Sequence, residues 1–301
     1  MSHSESELAV SAAAAPPGRA SGDTTLWWQG GALLLLLVFL YFDILRKLAV
    51  DWYNDPNFSH GFFVPAFSAF VLWMDRKRLA CIPIKPSWSG LVVVVGALAI
   101  LIAGVLGAEL FLSRTSLIFL MAGLVILFLG WQHFRAMLFP WACLFLGVPI
   151  PTIVFNQITF PLQLLASQFA SSVLSMLGVP VFREGNILTL PAMQLDVAEA
   201  CSGIRSLMSL GTLAVIYGYF LEPRIGRRVV LALASIPIAM LANGFRIVAT
   251  GLTVHYWDPE KGEGIFHEFT GLVIFIVALV LLFGFHGLMT WVGRLWAPKK
   301  A

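Results

Sequence analysis

Five residues in the last third of the chain are of types that do chemistry: Cys201, Ser202, Asn243, Arg246 and His267. A thiolate is a strong nucleophile, and a helix N-terminus or a nearby cation lowers the pKa of its thiol. An imidazole can take the thiol proton and later return one to a leaving amine. A guanidinium stays charged at working pH and can hold a substrate carbonyl or stabilise the oxyanion of a tetrahedral intermediate. Cys201, His267 and Arg246 together are what a cysteine acyl-transfer enzyme acting on a peptide bond requires. Asn243 and Arg246 are spaced i, i+3, which puts them on one helical face. Two residues compete for these roles: Arg205, one turn beyond Cys201, with Arg246, and His255 with His267. His60 is a further histidine expected on the same side.

The elements that must position this set are set by composition. Of 301 residues, 59% are apolar and only 12% are Asp, Glu, Lys or Arg, half the roughly 25% of a soluble domain. So few charges cannot cover a water-soluble surface, and the mean hydropathy of +0.87 agrees. The expectation is an all-α integral membrane protein; a soluble enzyme, a disordered chain and a coiled coil are excluded. The net charge, 19 − 16 = +3, is too small and scattered for nucleic-acid binding. Cys81, Cys143 and Cys201 form no CxxC pair, so neither a zinc knuckle nor a redox dithiol is available, and the odd count argues against a disulfide framework. Cys81 and Cys143 read as ordinary small residues. His267-Glu268-Phe269-Thr270-Gly271 begins like HExxH but lacks the second histidine. No nucleotide loop and no internal repeat occur, so no metal and no cofactor is expected.

Residues 1–25, rich in Ser, Ala, Pro and Gly, read as a disordered cytoplasmic tail, and 26–297 as a single polytopic membrane domain. The run 26–42 lacks a basic leader and an A-x-A cleavage site, which makes it an uncleaved first span. Further spans are expected at 60–74, 90–108, 116–132, 134–150, 202–221, 229–250 and 270–292, about eight in all, most of them flanked by Trp. The basic loops Asp75-Arg76-Lys77-Arg78 with Lys85, and Arg224 to Arg228, should be cytoplasmic, as should both termini. Arg46 and Lys47 dissent, but Asp43, Asp51 and Asp55 surround them.

With those loops inside, 151–201 must begin and end outside. Within it, 152–178 carries Asn156, Gln163, Ser167, Ser171 and Ser175 near one face and Phe155, Ile158, Leu162, Leu165 and Phe169 near the other. That stripe suits an extra amphipathic or re-entrant helix; an ordinary span with a buried polar face would invert the topology of half the protein. Residues 180–198 read as a short outer hairpin leading to Cys201. Arg246 then lies about 25 Å along its helix from Val229, near the outer interface. Cys201, Arg246 and His267 thus come to one depth on one side, from three helices.

These residues resemble the exosortase/archaeosortase family of multi-pass membrane cysteine transpeptidases. The matching elements are Ala200-Cys201-Ser202-Gly203-Ile204-Arg205, Asn243-Gly244-Phe245-Arg246, and His267 shortly before Gly271; Ser59-His60-Gly61, Val64-Pro65 and Leu72-Trp73 add an earlier likeness. The resemblance implies that Cys201 is the nucleophile, His267 the general acid/base and Arg246 the carbonyl or oxyanion partner, with Asn243, Ser202, Arg205 and His60 in support. It further implies secreted protein substrates ending in a Pro-Glu-Pro motif, an apolar helix and a basic end, a thioester acyl-enzyme, and an unidentified acceptor. The setting it implies is the bacterial inner membrane with the site facing the periplasm, often linked to exopolysaccharide. A competing class is a non-enzymatic export or transport component that uses Arg246 and His267 as a solute site and leaves Cys201 structural.

Overall fold

The structure is a computed structural model that describes residues 22–197, 204–256 and 265–295. The chain forms two compact units, Met1–Arg46 and Lys47–Ala301. The first holds most of α1 (Gly22–Asn54), an apolar helix whose Asp43 and Arg46 pair at 3.1 Å on its surface. The dissenting basic residue at 46 is thus locally neutralised.

In the second unit, a 3-10 turn (Ser59–Phe62) leads into α2 (Phe63–Met74), followed by the short basic α3 (Arg76–Ala80). Next come α4 (Ser89–Leu106) and α5 (Leu110–Phe128), which pack closely against each other. A Cβ on Gly90 would overlap the backbone of Leu127, so only glycine permits this approach. Helix α5 begins six residues earlier than the expected span at 116. The Glu109 carboxylate accepts from Leu112 N at 3.1 Å and caps it. The polar run Ser113-Arg114-Thr115-Ser116 is therefore helical, and it is buried. Its hydroxyls bond back to carbonyls of their own turn, as Thr115 Oγ1 does to Phe111 O at 2.9 Å, and Arg114 forms an ion pair with Asp51.

The expected span at 134–150 is not one helix. It is divided among α6 (Trp131–Ala136), α7 (Leu138–Cys143) and a 3-10 turn (Leu144–Gly147). Pro149 and Pro151 lack N–H donors and end it. The segment Leu138–Gly147 meets α8 (Thr152–Met176) at a bend of 82°. Among the described residues, five helices are long and apolar enough to cross a membrane, six if this bent pair is one span. The helical stretch Ser59–Met74 is shorter, about 24 Å at 1.5 Å per residue against a hydrocarbon core of about 30 Å. The all-α membrane class therefore holds.

Helix α8 turns a face of small residues inward: Ala166, Ser167, Ala170 and Leu174 are buried, while Ile158 and Leu165 are about half exposed. The expected polar face is only partly used. Ser167 Oγ donates to Leu164 O or to Gly185 O, both at 2.9 Å, whereas Asn156 and Ser175 stay exposed. The expected hairpin is a three-stranded antiparallel sheet, β1 (Phe182–Glu184), β2 (Ile187–Thr189) and β3 (Gln194–Asp196). Its Leu188, Leu190, Leu195 and Val197 share a core with α8 and with Ile247, Val248 and Val254.

The last three helices are α9 (Ile204–Leu221), α10 (Ile225–Tyr256) and α11 (Ile265–Leu295). They meet at Leu210 and Ala214 of α9, Leu231, Ala239 and Ala242 of α10, and Ala278 and Leu282 of α11. Outward-facing Leu, Val and Phe are widely exposed on these helices, as a lipid-facing surface requires. Cys143 is buried beside Phe67 and Val71, and Cys81 is exposed.

Candidate active site

Cys201 and Ser202 lie outside the described residues. Their position is bounded by Ile204, the first residue of α9, three places after Cys201. Ile204 is buried and, with Leu207, lines a small cavity of about 20 Å³ that Ala166, Met240 and Asn243 complete. Asn243 is 4% exposed. The start of α9 thus abuts α10 at Asn243, one turn before Arg246.

Arg246 is half-buried on the same stretch of α10. Its head rests against α11: a Cβ on Gly271 would lie 3.1 Å from Nη2 and 3.3 Å from Cζ. Glycine leaves room for the guanidinium there. His267 stands in the first turn of α11, four residues before Gly271, about 6 Å along the axis. On the other side, Gly244 of α10 seats the Phe169 ring of α8, with Phe169 and Phe245 edge to face at 5.3 Å. The start of α9, Asn243 and Arg246 on α10, and the first turns of α11 therefore meet at one end of the three-helix group.

The other candidates are placed differently. Arg205 is exposed, about 100° round the helix from buried Ile204. His255 is exposed in the last turn of α10, its ring edge-on to Tyr256. The His60 Nε2 lies 3.1 Å from Leu146 O, and its ring is 6.5 Å from that of Phe58, so its described contacts tie it to the turn before α8.

Two polar groups were not singled out in the sequence. Arg114 is 4% exposed and lines a cavity of about 520 Å³ with Asp51, Asp55, Glu109 and Pro151, which shares no residue with the small one at Asn243. Glu222, His286 and Tyr217 form a hydrogen-bonded chain between α9 and α11. The signal for both was an ionisable residue at membrane depth: Arg114 beside an apolar run, and His286 within one.

The family model for the transmembrane exosortase (Exosortase_EpsH) matches residues 52–284, more than half of the chain. The chain belongs to the transmembrane exosortase family. No curated protein and no solved structure matches it. The matched stretch contains Cys201, Arg246, His267 and His60. Family membership and the apolar helices make this a multi-pass membrane protein and support a general role as a membrane transpeptidase.

Proposed function

We propose that this exosortase cleaves the C-terminal sorting tail of secreted proteins at the periplasmic face of the bacterial inner membrane and passes the shortened protein to an acceptor. The Cys201 thiol gives its proton to His267, and the thiolate attacks the carbonyl carbon of the scissile peptide bond. Arg246 holds the resulting oxyanion. The C–N bond breaks, the imidazolium returns the proton to the leaving amine, and a thioester remains on Cys201. The acceptor nucleophile then attacks the thioester and frees the thiol. The released proteins would serve surface export, in an exopolysaccharide setting.

One observation supports this reading most: the Arg246 guanidinium rests on Gly271, one turn from His267, while its neighbour Asn243 shares a cavity with Ile204, three residues from Cys201. A secreted reporter ending in Pro-Glu-Pro, an apolar helix and a basic end should be shortened in cells that make this protein. An unshortened reporter in a cell that makes the protein and exports the reporter contradicts the proposal.

The orientation rests on the basic residues of α3 and of the turn into α10. Reporter fusions at Lys85 and at Gly262 should fall in opposite compartments, the first cytoplasmic and the second periplasmic. The same compartment for both would separate the nucleophile from the periplasm and end the export reading.

A further inference from the structure

Helix α11 carries His267 at one end, yet only 11% of its most apolar 18-residue stretch is buried. Apolar side chains gain little by leaving lipid for another helix. Such packing fixes neither rotation nor sliding; close contacts at small residues and hydrogen bonds do. Gly271 beneath Arg246 is one such contact. Gly293 is a second, where a Cβ would overlap Arg227 Nη2.

His286, between them, is the third. Its Nδ1 lies 2.7 Å from the Tyr217 hydroxyl and its Nε2 2.9 Å from Glu222 Oε1. A neutral ring protonated on Nε2 donates to Glu222 and accepts from Tyr217, satisfying both nitrogens. Glu222 is 3% exposed. Its Oε1 is 3.7 Å from Arg227 Nη1, and its backbone carbonyl accepts from Arg228 Nε at 2.6 Å. Tyr217 and Glu222 belong to the far end of α9, the helix that starts three residues after Cys201. The chain therefore links the thiol's helix directly to the imidazole's helix. By helical phase, Gly271, Ala278, Leu282, His286 and Gly293 fall within about 80° of arc, and position 267 within about 20° of its edge. His286 lies two residues beyond the family match.

We propose that Tyr217, Glu222 and His286 form a positioning site. It fixes the rotation and axial register of α11 against α9 and so holds His267 beside the thiol. This rests on the Cys201–His267 reading above. A slip of one residue slides the helix about 1.5 Å and turns it about 100°, and misplacement by about 1 Å alone can cost on the order of 10² in rate.

The test uses the full-length protein with Cys81→Ala and Cys143→Ala, leaving Cys201 as the single thiol, and follows iodoacetamide alkylation between pH 5 and 9. In this parent the profile should have its midpoint below that of a free thiol, and His267→Ala should raise it. His286→Leu should raise the midpoint by about one pH unit, slowing alkylation below it about 10-fold. His286→Gln keeps a donor for Glu222 and an acceptor for Tyr217 and should restore the rate to within about twofold. If His286→Leu does not accumulate, Tyr217→Phe, which removes one hydroxyl, should shift the profile in the same direction. A His267-dependent profile that neither His286→Leu nor Tyr217→Phe moves overturns the positioning site and leaves the catalytic reading standing. A profile indifferent to His267→Ala overturns both.

Discussion

Replacing Cys201 with Ala or Ser should abolish tail processing, while Cys81→Ala and Cys143→Ala should leave it intact. The contrast follows from where the thiols lie. Cys143 is 4% exposed among Phe67, Val71, Phe139 and Tyr219. Burial pushes a thiol toward its neutral, inert form. Cys81 is exposed just beyond the basic α3. Cys201 precedes a helix whose first described residue lines a cavity with Asn243, one turn before Arg246 on α10. Serine is a sharper test than alanine: it keeps a nucleophilic atom, but its hydroxyl is far harder to ionise than a thiol. Immunoblotting of the reporter in whole cells, normalised to membrane protein level, measures the loss. A Cys201→Ala cell that still shortens the reporter sinks the nucleophile assignment.

Arg246→Lys should lose most activity while the protein inserts and accumulates normally. Lysine keeps the charge but replaces a planar fork of donors with a mobile point charge. The fork is positioned here by contact with Gly271, and an ammonium on a flexible stem has no equivalent seat. Loss of one oxyanion donor typically costs about 10²–10³ in rate, and the same range is expected here. Arg205→Lys should be mild, because Arg205 is exposed on the first turn of α9. Side-by-side processing rates of the two variants decide between them. Near-normal turnover by Arg246→Lys with a dead Arg205→Lys would make Arg205 the catalytic arginine.

The three helices of the site were legible because their apolar runs are long and end at basic loops or at Gly and Asn. Asn243 and Arg246 were legible because i, i+3 spacing alone puts two residues on one face. Residues close in space but distant along the chain were not legible. Tyr217 and His286 are 69 residues apart, and no local pattern announces their hydrogen bond. Gly271 entered the sequence reading only as a motif residue; its packing against Arg246 appears only once α10 and α11 are laid side by side. The third strand was missed because Gln194-Leu195-Asp196 is three residues long and follows Pro191, too short for alternation to register. Helix α8 was legible in part: the stripe marked two faces, but which serine is buried was not legible, since Ser167 packs inward and bonds backbone carbonyls while Ile158 and Leu165 look outward.

The central claim is a thioester on Cys201, and intact-protein mass spectrometry reads it directly. Purified full-length protein is mixed with a synthetic tail peptide in detergent, without an added acceptor, and quenched in acid. A mass increase equal to the N-terminal fragment of the peptide is expected, mapped to the Cys201 peptide, removed by neutral hydroxylamine and absent from Cys201→Ala. A cleaved peptide with no adduct on Cys201, or an adduct that persists in Cys201→Ala, contradicts covalent catalysis by this residue.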